Sequence, residues 1–320
     1  MAVPNQGQRV ASNWVTVVKT KPEDQINNDY WLLNQLSKGE GFMGKSGGDF
    51  ITQPIEYALN GTVSSYADLD AISTTRYDVF DRYEAQWKEY AGTYVLSDLE
   101  DDRNSGDGQV FDLRNAKLQN LYHSLRSKFN TDLFGDGTGN NSKAFTGLGL
   151  LVSTTPTTGT VQAVDRSVNS FARNQQTSGA QTSSAFDNLR ATMRSIYNLS
   201  SNGISGDHPT FAVTTRTVFE GYEGLLIANE RFIKKGQGEG AFETLTFKGA
   251  EISFDLACPS GNLYFLNPAF LKLVYKTGSW MKPQPAIRPA NQTADFIVIR
   301  TMANLFATNP RRLGVVSSIT

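Results

Sequence analysis

The chain has 320 residues, with 30 basic against 31 acidic side chains and a formal net charge of −1. That balance excludes a dedicated nucleic-acid binder, which would be clearly basic. The single cysteine, Cys258, excludes an intrachain disulfide and a cysteine-built metal cluster, and no apolar run approaches the roughly 18 residues of a membrane span.

The opening, MAVPNQGQRV, lacks the apolar core of a signal peptide, so the expected setting is cytosol-like, or a particle assembled there. With 19 Phe, 12 Tyr and 4 Trp, the chain can bury a real core. Residues 1–48 are polar, carry scattered aromatics (Trp14, Tyr30, Trp31) and end in a glycine-rich stretch. They read as an arm with one short helix near Asp29–Leu36, and such an arm lies on something else.

From Ile51 the pattern changes. Ile55, Tyr57 and Leu59 alternate with polar residues, Asn60-Gly61 is a turn signal, and residues 64–75 read as a polar linker. Tyr77, Val79, Asp81, Tyr83, Ala85 and Trp87 then alternate with Arg76, Asp78, Phe80, Arg82 and Glu84, and Tyr94–Leu96 end the run. This is a long two-stranded ribbon, and a lone hairpin is marginal in water. It must pack on its own body or on a neighbouring subunit. Its mixture of aromatics and arginines suits protein interfaces, which makes Tyr57, Tyr77, Phe80, Arg82, Tyr83 and Trp87 the candidate interface residues.

A loop over Ser97–Gly108 leads to a predicted helix over Gln109–Phe134, which has no internal Pro or Gly. Leu118, Tyr122, Leu125, Phe129 and Leu133 recur every three or four positions, with Leu121 widening the stripe. Asp107 offers an N-cap, and Gly135 a left-handed close. At about 1.5 Å per residue the helix spans roughly 35–40 Å. It is a rod that needs something laid along it. A glycine-rich turn and a short apolar strand follow over Gly135–Val152, then a polar, loop-like stretch over Thr160–Ser184.

Beyond Ser184 the pattern is α plus β. A helix carries Phe186, Leu189, Met193, Ile196 and Tyr197 on one face. A strand over Thr210–Thr215 and a second helix over Thr217–Asn229 follow. Short strands are predicted at Leu245–Phe247, Glu251–Asp255, Leu263–Phe265 and Phe270–Tyr275, joined by turns. A strongly apolar strand over Asp295–Phe306 and a last strand around Gly314–Ile319 close the chain.

Candidate chemistry is sparse. His123 and His208 have no second histidine or cysteine at ligand spacing, and no G-x-S-x-G elbow supports a nucleophilic serine. The loop Gly135–Lys143 lacks the G-K-[ST] ending of a phosphate loop and follows a helix, so it reads as a helix-ending turn. The acids Asp98, Glu100, Asp101 and Asp102 lack the ligand alternation of an EF-hand; they read as a solvated loop or as partners for arginines of another subunit. Cys258 reads as a small packed hydrophobe on a strand. No catalytic, metal or cofactor residue is expected, which favours a structural protein.

In combination, several stretches resemble the major capsid proteins of tailed bacteriophages, the Hong Kong ninety-seven fold. PIEYALNGTVSSY and YEAQWKEYAGTYVLSDLE are similar to that family's extended loop. LFGDGTGN leading to TGLGLLV resembles the end of its spine helix. VDRSVNSFARN is similar to a recurring stretch in which Phe171 stands where relatives often have Trp. HPTFAVTTRTVFEGYEGLL resembles its axial strand–helix step, and FIVIRTMANLFATNPRRLGVV its final peripheral strands.

The resemblance implies an α+β phage capsid fold: an arm (1–48), an extended β-ribbon loop (49–106), a peripheral domain with the spine helix (107–152 and 286–320) and an axial α+β domain (153–285). It implies many copies, as hexamers and pentamers, tiling an icosahedral shell around double-stranded DNA bound without sequence specificity. It further implies procapsid maturation, portal and scaffolding partners, no membrane, assembly in the host cytoplasm and a final place in the virion. The ribbon offers Lys88 near its base and only arginine further out, so covalent crosslinking has no support. An encapsulin-like nanocompartment shell is the alternative; a hydrolase using His208 or the Asp98–Asp102 acids is the least favoured.

Overall fold

The computed structural model describes residues 30–104, 112–180, 186, 188–203, 207–226 and 245–319. Trp31–Ser37 forms α1, which buries Trp31, Leu32 and Leu36. The Leu32 N–H is taken by the Asp255 carboxylate at 3.3 Å, and the Trp31 indole donates to the Ala212 carbonyl at 3.2 Å. Phe42–Lys45 follows as β1. The short helix expected near Asp29–Leu36 is thus α1, and with β1 it lies on the body, because its Trp-Leu-Leu face buries apolar surface there.

The ribbon pairs β2 (Phe50–Glu56) antiparallel with β3 (Phe80–Gln86), in register from Phe50 opposite Gln86 to Glu56 opposite Phe80. It stops there. The next strand, β4 (Lys88–Ser97), was expected to extend the ribbon but pairs elsewhere, against Ala294–Ala303. Period-two alternation tells which face of a strand is buried but not which strand is its neighbour.

Asp98–Arg103 is a helix, α2, rather than a loop. Three acids in its first turn, Asp98, Glu100 and Asp101, complement the positive end of the helix. The long helix is α3, Leu113–Phe134; its N-cap is Asp112, whose side chain accepts the Asn115 N–H at 3.0 Å. The expected cap, Asp107, lies outside the described residues. Leu125, Phe129 and Leu133 are buried, while Leu118, Leu121 and Tyr122 pack partly buried against the same core. Gly135 closes the helix in extended backbone (φ −71°, ψ 176°), not in the left-handed region. A Cβ on Gly147 would sit 2.5 Å from the carbonyl oxygens of Asp132, Leu133 and Gly135, so the chain runs directly over the helix end. The expected strand there is a helical turn, α4 (Leu148–Leu151), with Leu148 and Leu151 buried; a four-residue apolar run carries no decisive period.

The stretch expected as loop contains a hairpin of β5 (Thr160–Val161) and β6 (Val164–Asp165), then β7 (Gln175–Ser178). Its organiser is Arg166, 1 % exposed, which donates to the Leu151 carbonyl at 2.8 Å and the Ala172 carbonyl at 3.3 Å. Burial lowers its pKa to about 10. Then come α5 (Leu189–Ser200), β8 (Phe211–Thr214) and α6 (Arg216–Leu225). The end of the predicted second helix, Asn229, lies outside the described residues.

The strands β9 (Leu245–Phe247), β10 (Ala250–Phe254), β11 (Leu263–Leu266), β12 (Leu271–Lys276), β13 (Lys282–Pro283), β14 (Ala294–Ala307) and β15 (Gly314–Ser317) complete two sheets. One has the order β1-β12-β14-β13, with β4 also on β14; the other runs β7-β15-β11-β8-β10-β9. The 14-residue β14 is long enough to serve β4 with its first part and β12 with its last. The final strand corrects the expected grouping of the chain end: β15 lies between β7 and β11, away from β14. The Pro310–Arg312 turn redirects the backbone between them. Cys258 is buried in a turn after β10, not on a strand. One core lies between α3, α1 and the β14 sheet, and a second packs α5 and α6 on the other sheet.

Candidate assembly surface

The ribbon has a fixed base and an open tip. At the base, Ile51, Tyr83 and Ala85 are buried. The Glu84 N–H donates to the Gln162 carbonyl at 3.0 Å, tying β3 to the β5–β6 hairpin. The Trp87 indole donates to the Gly48 carbonyl at 2.8 Å. Tyr57 stacks on Phe171 with ring centroids 5.1 Å apart, and its hydroxyl donates to the Asp78 carbonyl at 2.8 Å.

Past Tyr57, whose N–H still donates across the ribbon to the Val79 carbonyl at 3.0 Å, the tip is held by bonds within itself. Asn60 Oδ1 accepts from the Thr62 N–H at 3.0 Å, and Asp70 Oδ2 accepts from the Ala67 N–H at 2.8 Å. Leu59 is 90 % exposed and Val63 84 %; Leu69 is fully exposed, and Tyr66 and Ile72 are largely so. Elsewhere on the described residues, large exposed apolar side chains are scattered. Large apolar side chains left exposed along one loop are the kind of surface that interaction sites carry.

The six candidate interface residues separate into three groups. Tyr77 and Phe80 are half or more exposed, and Tyr77 lies across Gly61. Tyr57 keeps an exposed edge beside its contact with Phe171, and Arg82 is exposed while paired to Glu84 at 2.7 Å. Tyr83 belongs to its own subunit's core: it is 2 % exposed, and burial pushes its hydroxyl pKa up to about 12. Trp87 is half-buried at the base. Sequence reasoning missed Tyr66, Leu69 and Ile72, read as part of a polar linker. The available signal was large apolar side chains in a segment with no periodicity to bury them.

The other candidates build no reactive centre. Among the described residues, no three His, Cys, Asp or Glu side chains gather as metal ligands, and no helix is long and apolar enough to cross a membrane. His123 sits half-buried on α3, and His208 lies against the Tyr197 ring at 6.0 Å. Burial raises the Cys258 thiol pKa well above its usual value. The α2 acids pair within the chain: Asp101 with Arg114 at 3.1 Å, Glu100 with Lys117 at 2.5 Å, and Asp98 with Arg288. The Lys117 bond holds the Glu100 carboxyl below its ordinary value.

No protein-family model and no curated protein sequence matches the chain. Solved structures do. The cyanophage A-1(L) capsid asymmetric unit is similar at TM-score 0.69 and 14 % identity, over 95 % of this chain and 97 % of that one. The capsid of a native GTA particle gives TM-score 0.64 and 10 % identity over 97 % of both chains. The holo-SrpI encapsulin complex from Synechococcus elongatus PCC 7942 gives TM-score 0.63 and 11 % identity, over 100 % of this chain and 96 % of that one. Across nearly its whole length, the chain therefore has the α+β fold of the subunits in these capsid and encapsulin structures.

Proposed function

We propose that this chain is a major capsid protein of a tailed bacteriophage, assembling as hexamers and pentamers into an icosahedral shell around double-stranded DNA. The observation that carries this reading is the ribbon tip on a shell-type fold. Its large apolar side chains stand in water in the single subunit, and burying each would contribute about 1.5–3 kcal/mol. A second copy supplies that cover, so the exposed state is relieved by assembly.

In this reading the ribbon is the extended loop laid over a neighbour, α3 is the spine of the peripheral domain, and the six-stranded sheet with α5 and α6 forms the axial domain. Scaffolding and portal proteins act as separate partners. Assembly takes place in the host cytoplasm, and the product is the virion capsid. The near-neutral charge suits a wall that neither traps nor strongly repels packed DNA. The chain itself performs no catalysis.

An encapsulin-like compartment is the second reading, favoured by the match to the Synechococcus encapsulin chain over 100 % of this one. Electron microscopy of the purified chain tests both. Closed, uniform icosahedral particles are expected, and a monomer at every concentration overturns the proposal. Nucleic acid inside particles isolated from the natural source supports the capsid reading; packaged protein supports the compartment.

A further inference from the structure

We propose that the acidic tip of one copy's ribbon seats in an arginine-lined pocket at the ribbon base of a second copy. This deepens the assembly reading above and rests on it. The pocket, about 540 Å³, lies between the end of β2, Phe171, Leu199 and the turn that carries Arg311 and Arg312. Its floor is cationic. No ion pair is formed by Arg311 or Arg312 among the described residues. Guanidinium groups lining a pocket without a carboxylate partner take a carboxylate as their best acceptor. Glu56 is the acid on the pocket wall; it belongs to β2 and forms no ion pair with either arginine. The remaining wall is aromatic and aliphatic: Tyr57, Phe171 and Leu199.

The tip has the complementary chemistry. Between Tyr57 and Thr75 the charged residues are Asp68 and Asp70, with no lysine or arginine. Tyr66 and Leu69 interleave with them and are exposed. An acid–apolar–acid segment thus complements a pocket lined by two arginines and an aromatic wall. The same chain's tip does not fill its own pocket, since Leu69 is fully exposed. The pocket sits at the root of the ribbon whose far end carries the acids, so head-to-tail pairing of copies satisfies each pocket with the next copy's tip. Such a heterologous contact closes into rings where the rotation between successive copies closes.

A charge-swap cycle in the full chain tests this. Asp68→Arg with Asp70→Arg is expected to cut the fraction of chain in sedimenting shells about ten-fold, and Arg311→Asp with Arg312→Asp likewise. Combining all four is expected to recover assembly to within about three-fold of the original. The tip variants alter only exposed side chains, so normal shells from Asp68→Arg with Asp70→Arg overturn the inference even if the arginine variants misfold.

A second measurement names the occupant. Leu69→Cys chains are mixed with Asn309→Cys chains and oxidised with diamide. A disulfide-linked dimer supports the contact between copies. Its absence under conditions that give shells overturns it, as does protection of Arg311 from modification by residues 1–29 of the same chain or by added phosphate alone. Unmodified chain that forms no shell refutes the proposed function; shells that ignore the tip charges refute only this contact.

Discussion

The side-chain amide of Asn130 on α3 donates a 2.7 Å hydrogen bond to Asp255, deep inside the protein. Asp255 also accepts the N–H groups of Leu32 at 3.3 Å and Ala257 at 3.0 Å. One carboxylate thus fastens α1 and α3 to the turn after β10. Burial raises its pKa above the ordinary value, and the N–H donors only partly offset that. A group whose folded pKa is raised holds its proton more tightly when folded, so its contribution to stability is largest below the unfolded value and falls as pH rises past it.

From that sign, the Asp255 contribution to stability should decline as pH climbs above 3.8, against the opposite trend of Glu100, whose carboxyl is held low, and Asp255→Asn should remove that part of the pH dependence. Denaturant unfolding across the acid range measures it; an unchanged slope in the variant would contradict the assignment. Asp255→Ala strands several buried N–H donors and should cost about 3 kcal/mol or more.

Gly147 has an ordinary negative φ of −88°, so its role is space rather than conformational freedom. A methyl there would meet three backbone carbonyls at 2.5 Å, and backbone cannot move aside as a side chain can. Gly147→Ala should destabilise the subunit by about 3 kcal/mol, read as a lowered urea midpoint. Gly224, with nothing near its Cβ position, should accept alanine at no cost.

Phe129 is fully buried and meets Tyr90 edge-on at 4.9 Å and Phe145 at 5.3 Å. Phe129→Ala should cost about 3–5 kcal/mol. Because α3 joins α1 and the β14 sheet in one core, calorimetry should show the loss as a lower melting temperature of the whole unit.

Deleting residues 60–75 removes a tip that bonds only to itself. The expected product is a soluble subunit with the unfolding midpoint of the full chain that no longer forms normal shells. Normally sized shells from this deletion, seen by electron microscopy, would refute the tip's role.

Much of the fold was readable because it rests on local periodicity. The long helix α3 and α5 each carry a helical period, and β8 and the small strands from Leu245 to Tyr275 are short apolar or β-branched runs bounded by turns, so both kinds are legible without reference to a partner. What failed was assignment across distance. Arg166 organises a polar stretch from inside, and nothing in its neighbourhood in the sequence announces a buried guanidinium. Likewise Tyr83 and Tyr77 share one alternating face on paper, yet one is core and the other surface.

By itself, then, the amino-acid order determined the long helix, α5, β8 and the later strands, and that a ribbon exists, because these follow from short-range spacing and composition; it misread α2, α4 and β5 to β7. Only the tertiary structure decided that β4 leaves the ribbon for β14, that β15 crosses to the other sheet, and that the tip stands bare while an arginine pocket stays open at its root. Strand partnership and burial depend on contacts between residues far apart in the chain, and period-two alternation is the same whichever neighbour a strand meets.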